Sequence, residues 1–160
     1  MHFYLEIDPI MIYLCPHVNE LMLTVNEKWH LNTTEHLSKI VNLSNLQILW
    51  LDFRHECTFA VNLYTEMNTL LKRALNLHSL RIKCNKSERM KVITLNAICL
   101  NLPHYIKRLD TNITDLTDAK RILERAEHLS NVTFRTSNPR HFAHEIDIWF
   151  WQMRRNVAYQ

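Results

Sequence analysis

Five times along this 160-residue chain the apolar side chains repeat one spacing, and that repetition constrains the fold more than any other feature. At Leu43-Ser-Asn-Leu46-Gln-Ile-Leu49-Trp-Leu51-Asp-Phe53 the apolar residues stand three, three, two and two apart. Steps of three belong to a helix end, and strict alternation belongs to a strand with one buried face. The figure returns at Leu77-His-Ser-Leu80-Arg-Ile82-Lys-Cys84, and more loosely from Val18, Ile106 and Leu129. The equivalent anchors Leu21, Leu49, Leu80, Leu109 and Val132 lie 28, 31, 29 and 23 residues apart. A period of this size is the sequence signature of a solenoid, in which each unit buries its apolar face against the next. Strands are therefore predicted at 20–25, 48–53, 79–84, 108–113 and 131–135, parallel and adjacent, with the intervening helices on one outer face.

The segments between the strands carry helical periodicity. Thr33 or Thr34 is the expected cap of a short helix striped by Leu37, Ile40 and Val41. Leu63, Met67, Leu70, Leu71, Ala74 and Leu77 form the clearest stripe, with Asn62, Glu66, Lys72 and Arg73 on the opposite, wet face. A third helix is expected from Ser87 to Pro103, and a fourth is capped by Asp115, with Asp118 supporting its dipole. The last begins at Ser137-Asn138-Pro139, where proline's missing N–H costs nothing, and carries the stripe Phe142, Ile146, Trp149, Phe150 and Met153. The chain reads as one domain over 1–160. Residues 1–16 are either an irregular N-terminal cap or a truncated repeat, and 138–155 form a C-terminal capping helix.

Composition removes whole classes of function. The chain has no glycine, where about 7% usage would give roughly eleven. A Walker A loop, a G-x-G-x-x-G turn and a G-x-S-x-G elbow are thereby excluded, since each needs glycine for positive φ or close backbone approach. Asparagine is left to fill left-handed positions. Nineteen Lys+Arg against sixteen Asp+Glu give a scattered +3, which is no nucleic-acid footprint. The four cysteines, Cys15, Cys57, Cys84 and Cys99, have no C-x-x-C pairing and read as reduced thiols, Cys84 and Cys99 within the core. No signal peptide or membrane span is evident, so a cytoplasmic or nuclear chain is expected, monomeric and without a membrane partner.

No catalytic constellation stands out among the ten histidines. His141 and His144 lie at i, i+3 without the interposed glutamate of a zinc hydrolase, and are expected to be a surface pair. His55-Glu56-Cys57 has the atoms of a thiol–imidazole pair but no evident orienting third group. A non-enzymatic chain without cofactor or metal is the expectation.

A strand, turn and helix at this period resemble the leucine-rich repeat, whose pattern L-x-x-L-x-L-x-x-N places asparagine ninth. Counting from Val18 and Leu77, that position is Asn26 and Asn85, whereas the other repeats have Arg54, Thr114 and Ser137 there. The resemblance covers residues 17–137. Within that family the chain is similar to ribonuclease-inhibitor-like arrays and to the repeat region of F-box proteins. It implies a short right-handed α/β solenoid, with strands on a concave face and helices on a convex one. It also implies a partner-binding role, such as the substrate-recognition repeats of an F-box-type ubiquitin-ligase adaptor. No F-box is evident in the sequence.

Strand register nominates the surface. If Leu49 and Leu51 point inward, Trp50 and Asp52 point outward, as do Met22 and Thr24, Arg81 and Lys83, Asp110 and Asn112, and Thr133 and Arg135. An exposed tryptophan among arginines is the composition of an interface hot spot. Trp50, Asp52, Arg81, Lys83, Arg108 and Arg135 are the candidate residues for binding a protein partner. A terminal segment of a larger repeat protein, with no partner of its own, is the alternative.

Overall fold

The computed structural model describes residues 4–5, 17–25, 32–54, 63–84, 98–99, 102–113 and 115–158. It is an α/β arrangement around one six-stranded sheet. The strands are β1 (Tyr4–Leu5), β2 (Glu20–Val25), β3 (Ile48–Phe53), β4 (Ser79–Cys84), β5 (Arg108–Asn112) and β6 (Asn131–Arg135). Their order in the sheet is their order in the chain, and every neighbouring pair is parallel. The helices among the described residues are α1 (Thr33–Ile40), α2 (Leu63–Arg73), α3 (Leu116–Arg125) and α4 (Pro139–Ala158). The helix expected from Ser87, the pair Asn26 and Asn85, and the segment His55-Glu56-Cys57 lie outside the described residues.

The repeated spacing becomes repeated packing. Leu21, Leu49, Leu80, Leu109 and Val132 form one cross-strand row, and Leu23, Leu51, Ile82, Thr111 and Phe134 form a second. A continuous hydrophobic core joins Leu21, Leu49, Leu80 and Leu109 of the first row and Leu23, Leu51 and Ile82 of the second to Leu37 of α1, Met67 and Leu70 of α2, and Ala119 and Ile122 of α3. Strict alternation puts an entire strand's apolar set on one face, so a slip of one residue would expose all of it. The five anchors thus lock the register together.

The step of three before each anchor has its own geometry. Leu46, Leu77, Ile106 and Leu129 each donate a backbone N–H to the carbonyl three residues back, over 3.0–3.1 Å. Each tight turn aims the chain into its strand. Just before the strands, a single carbonyl accepts two successive N–H groups of the next unit. Asn19 takes Gln47 and Ile48, Gln47 takes His78 and Ser79, His78 takes Lys107 and Arg108, and Lys107 takes Ser130 and Asn131. Backbone polar groups that irregular loops would leave unpaired are thereby satisfied from one unit to the next.

The start of α1 departs from expectation. Neither Thr33 nor Thr34 is the cap. Asn32 occupies that place with φ 67°, the only positive φ among the described residues, and its side chain makes no capping bond. The capping groups come from α2 instead. Glu66 accepts the N–H of Asn32 on Oε1 at 2.9 Å and that of Thr34 on Oε2 at 3.0 Å, while the Thr34 hydroxyl donates to the Glu66 carbonyl at 3.0 Å. Glu66 therefore sits buried rather than on the wet face of α2. A carboxylate at a helix N-terminus is favoured by the orphan N–H groups and by the macrodipole. The spacing of apolar residues says nothing of such a bond, because the two partners are more than thirty residues apart.

At the C-terminal side the expected caps hold. Asp115 accepts from Asp118 N at 3.0 Å, and Asn138 accepts from His141 N at 3.3 Å just ahead of Pro139. Phe142 and Ile146 of α4 pack against the core, with Phe142 edge-on to Phe134 of β6. Ile148, Phe150 and Trp151 remain exposed. Among the described residues no helix is long and apolar enough to cross a membrane.

Candidate functional site

The sheet face turned away from the core carries the alternate residues of each strand. Trp50 of β3 is the register partner of Met22 on one side and Arg81 on the other, and Arg81 in turn pairs with Asp110. One position further along, Thr24, Asp52 and Lys83 form the next row. Met22, Trp50, Asp52, Arg81, Lys83, Asp110 and Arg135 line an open depression of about 250 Å³. The alternation thus brings Trp50, Asp52, Arg81, Lys83 and Arg135 of the six nominated residues to one place. Arg108 lies on the same face and is exposed, but it belongs to the row of Ser79 and Asn131 and does not reach the depression.

Three of these residues differ in state from the sequence expectation. Asp52 is only 4% exposed. Its Oδ2 accepts from Arg54 Nε at 3.2 Å, so a neighbour two residues on along the same strand direction folds back to cover its charge. Trp50 is half-buried rather than exposed, with the Arg81 guanidinium over its ring, 4.3 Å from the centroid. Arg135 is exposed but already paired. Its Nε and Nη2 donate to the two carboxylate oxygens of Asp110, each at 2.7 Å. That paired hydrogen bond and the charge of Asp110 raise the Arg135 pKa above its ordinary value.

Two buried polar atoms on this face have no hydrogen-bond partner among the described residues: the indole Nε1 of Trp50 and Oδ1 of Asp52. An unmade bond to a buried polar group costs about 1–3 kcal/mol, so folded chains retain few such atoms. Here a donor and an acceptor, two residues apart on one strand, stand unused beside the same depression. Arg81 is held by the weaker kind of contact, since a surface cation–π interaction contributes about 0.5–1 kcal/mol. A hydrogen bond to a charged group contributes about 1.5–3 kcal/mol. The guanidinium can therefore be drawn from the indole by a suitably placed anion.

Sequence reasoning placed Asp110 on the outward face but gave it no role. Its diagonal to Arg135, one strand over and two residues along, was readable once register was fixed. The unpartnered atoms of Trp50 and Asp52 had no sequence signal, because satisfaction depends on every neighbour in space.

Other reactive groups are structurally placed. Cys84 and Cys99 are buried. Burial pushes the Cys99 thiol up to about 12, so at neutral pH it stays protonated and is no nucleophile. His141 Nδ1 is 3.2 Å from Glu145 Oε2 on the surface of α4, and His144 is exposed. Among the described residues no group of three or more His, Cys, Asp or Glu is arranged to hold a metal ion. His104 and His128 meet edge to face at 4.9 Å. Burial lowers the His128 pKa, and the nearby His104 and Lys107 charges add to this, against a backbone hydrogen bond at Pro103.

Comparison of the sequence with protein-family models and with curated proteins finds no match, and comparison of the structure with solved structures finds none.

Proposed function

We propose that the chain is a non-enzymatic protein-interaction module of the leucine-rich-repeat kind, a short right-handed solenoid that binds a partner on its outward, concave sheet face. Strands parallel and in chain order, with described helices packed on the core side, support the architecture. The observation that carries the function is the pair of buried, unpartnered atoms, Trp50 Nε1 and Asp52 Oδ1, beside the depression. A partner supplying an acceptor and a donor would satisfy both. The substrate-recognition repeats of an F-box-type ubiquitin-ligase adaptor are one setting in which such a surface serves.

The half-buried state of Trp50 changes which variant tests this. Trp50→Ala would remove the whole aromatic side chain and its packing as well as binding, whereas Trp50→Phe keeps one aromatic ring and deletes the indole N–H together with the fused ring that carries it. Trp50→Phe should stay folded and melt within a few degrees of the wild type, since most of the aromatic surface is kept and the deleted donor makes no bond among the described residues. Partners recovered by affinity purification and mass spectrometry should bind Trp50→Phe about tenfold more weakly, as expected when a central aromatic anchor is impaired. An unchanged partner set and unchanged affinity would show the outward face to be idle, as in a terminal segment without a partner.

A further inference from the structure

We infer that the outward face recognises an acidic stretch of a partner protein chain, with an aspartate or glutamate side chain entering beside Trp50. This rests on the interaction reading above and specifies what that surface takes. Charge accounting decides it. Both acids at the depression are already engaged, Asp110 by Arg135 and Asp52 by Arg54 on one oxygen. Two cations remain. Arg81 and Lys83 are exposed and neither makes an ion pair among the described residues.

Register sets these cations beside the indole, because Arg81 pairs with Trp50 and Lys83 with Asp52. A carboxylate arriving there meets two positive charges, draws Arg81 off the ring, and uncovers the indole N–H as a third donor. Asp52 Oδ1 then accepts a main-chain N–H of the same stretch. That last group favours a peptide main chain over a phosphodiester backbone. A phosphodiester offers oxygen acceptors, which a carboxylate oxygen repels, while a peptide offers a donor at every residue except proline. Arg108, one row away on the same face, would meet a second acidic residue.

The test is an array of random-sequence decapeptides probed with the purified, labelled protein. The wild type should enrich Asp- and Glu-containing peptides at least tenfold, and the enrichment should fall as salt rises. Arg81→Glu and Lys83→Glu, both exposed substitutions, should abolish it, and the double variant should select Lys- and Arg-containing peptides instead. Lys72→Glu, exposed on α2, should leave it unchanged. Acidic selection that persists in the double variant would overturn the inference. So would a single-stranded oligonucleotide of equal charge that competes as well as the best peptide. If Trp50→Phe loses its cellular partners while the array shows no acidic preference, the inference fails and the interaction reading stands. If Trp50→Phe loses nothing and the array is blank, both fail.

Discussion

The unit containing β3 and α2 and the unit containing β6 and α4 carry the same alternation and the same helical stripe, yet they are buried very differently. In β3, Leu49, Leu51 and Phe53 are sealed, and α2 buries Leu63, Met67, Leu70 and Leu71. In β6, no residue is fully buried: Val132 and Phe134 at the equivalent positions are half-exposed. The difference lies in neighbours. β3 has a strand on each side, whereas β6 is paired among the described residues only with β5 and covered by a helix that keeps Ile148, Phe150 and Trp151 in solvent. An apolar residue in a repeat is thus core only to the extent that another unit stacks on it.

That contrast makes graded predictions. The largest effect belongs to Leu70→Ala, whose fully buried side chain leaves a cavity and should cost about 2–5 kcal/mol in urea unfolding. Glu66→Ala comes next, at about 1–3 kcal/mol, because it strands the N–H groups that the carboxylate serves at the start of α1. Hydrogen exchange should show the amides of Asn32 and Thr34 losing protection in that variant before the rest of the sheet does. Phe134→Ala should cost only about 1 kcal/mol, roughly half of what full burial of such a ring contributes. If it proves as damaging as Leu70→Ala, the terminal unit is as well packed as the central one and the comparison collapses. Smallest is Lys120→Ala, which removes an ammonium 5.7 Å from the Trp149 ring centroid and should shift stability by about 0.5 kcal/mol. A larger shift would mean that α4 is held to α3 chiefly by that contact.

What could be read in advance followed from period and parity. The positions of β2, β3, β4 and β6, the row of anchors, the buried stripe of α2 and the caps at Asp115 and Asn138 are all local patterns that the sequence displays. The outward placement of Trp50, Arg81 and Lys83 followed from the same parity. What could not be read was which charges satisfy one another. Glu66 reads as a solvated helix residue until α1 is placed beside it, and Arg135 reads as free until Asp110 is seen one strand away. Side-chain pairing across units depends on two or more angles at each residue and on distances that a one-dimensional spacing does not contain. The same gap explains Asp52, whose outward register is correct and whose exposure is not.

The sheet in which strand order follows chain order has a mechanical consequence. Tension applied between the first and last strands runs across the sheet, along the direction of its inter-strand hydrogen bonds, so it meets one ladder at a time instead of shearing many at once. Six strands span only about 24 Å at about 4.8 Å per gap. Each unit that peels away releases its 28 to 31 residues between the first four anchors, on the order of 100 Å of extended chain. The chain would therefore act as a soft, stepwise-yielding link, lengthening several-fold under modest load while the units not yet reached keep their register.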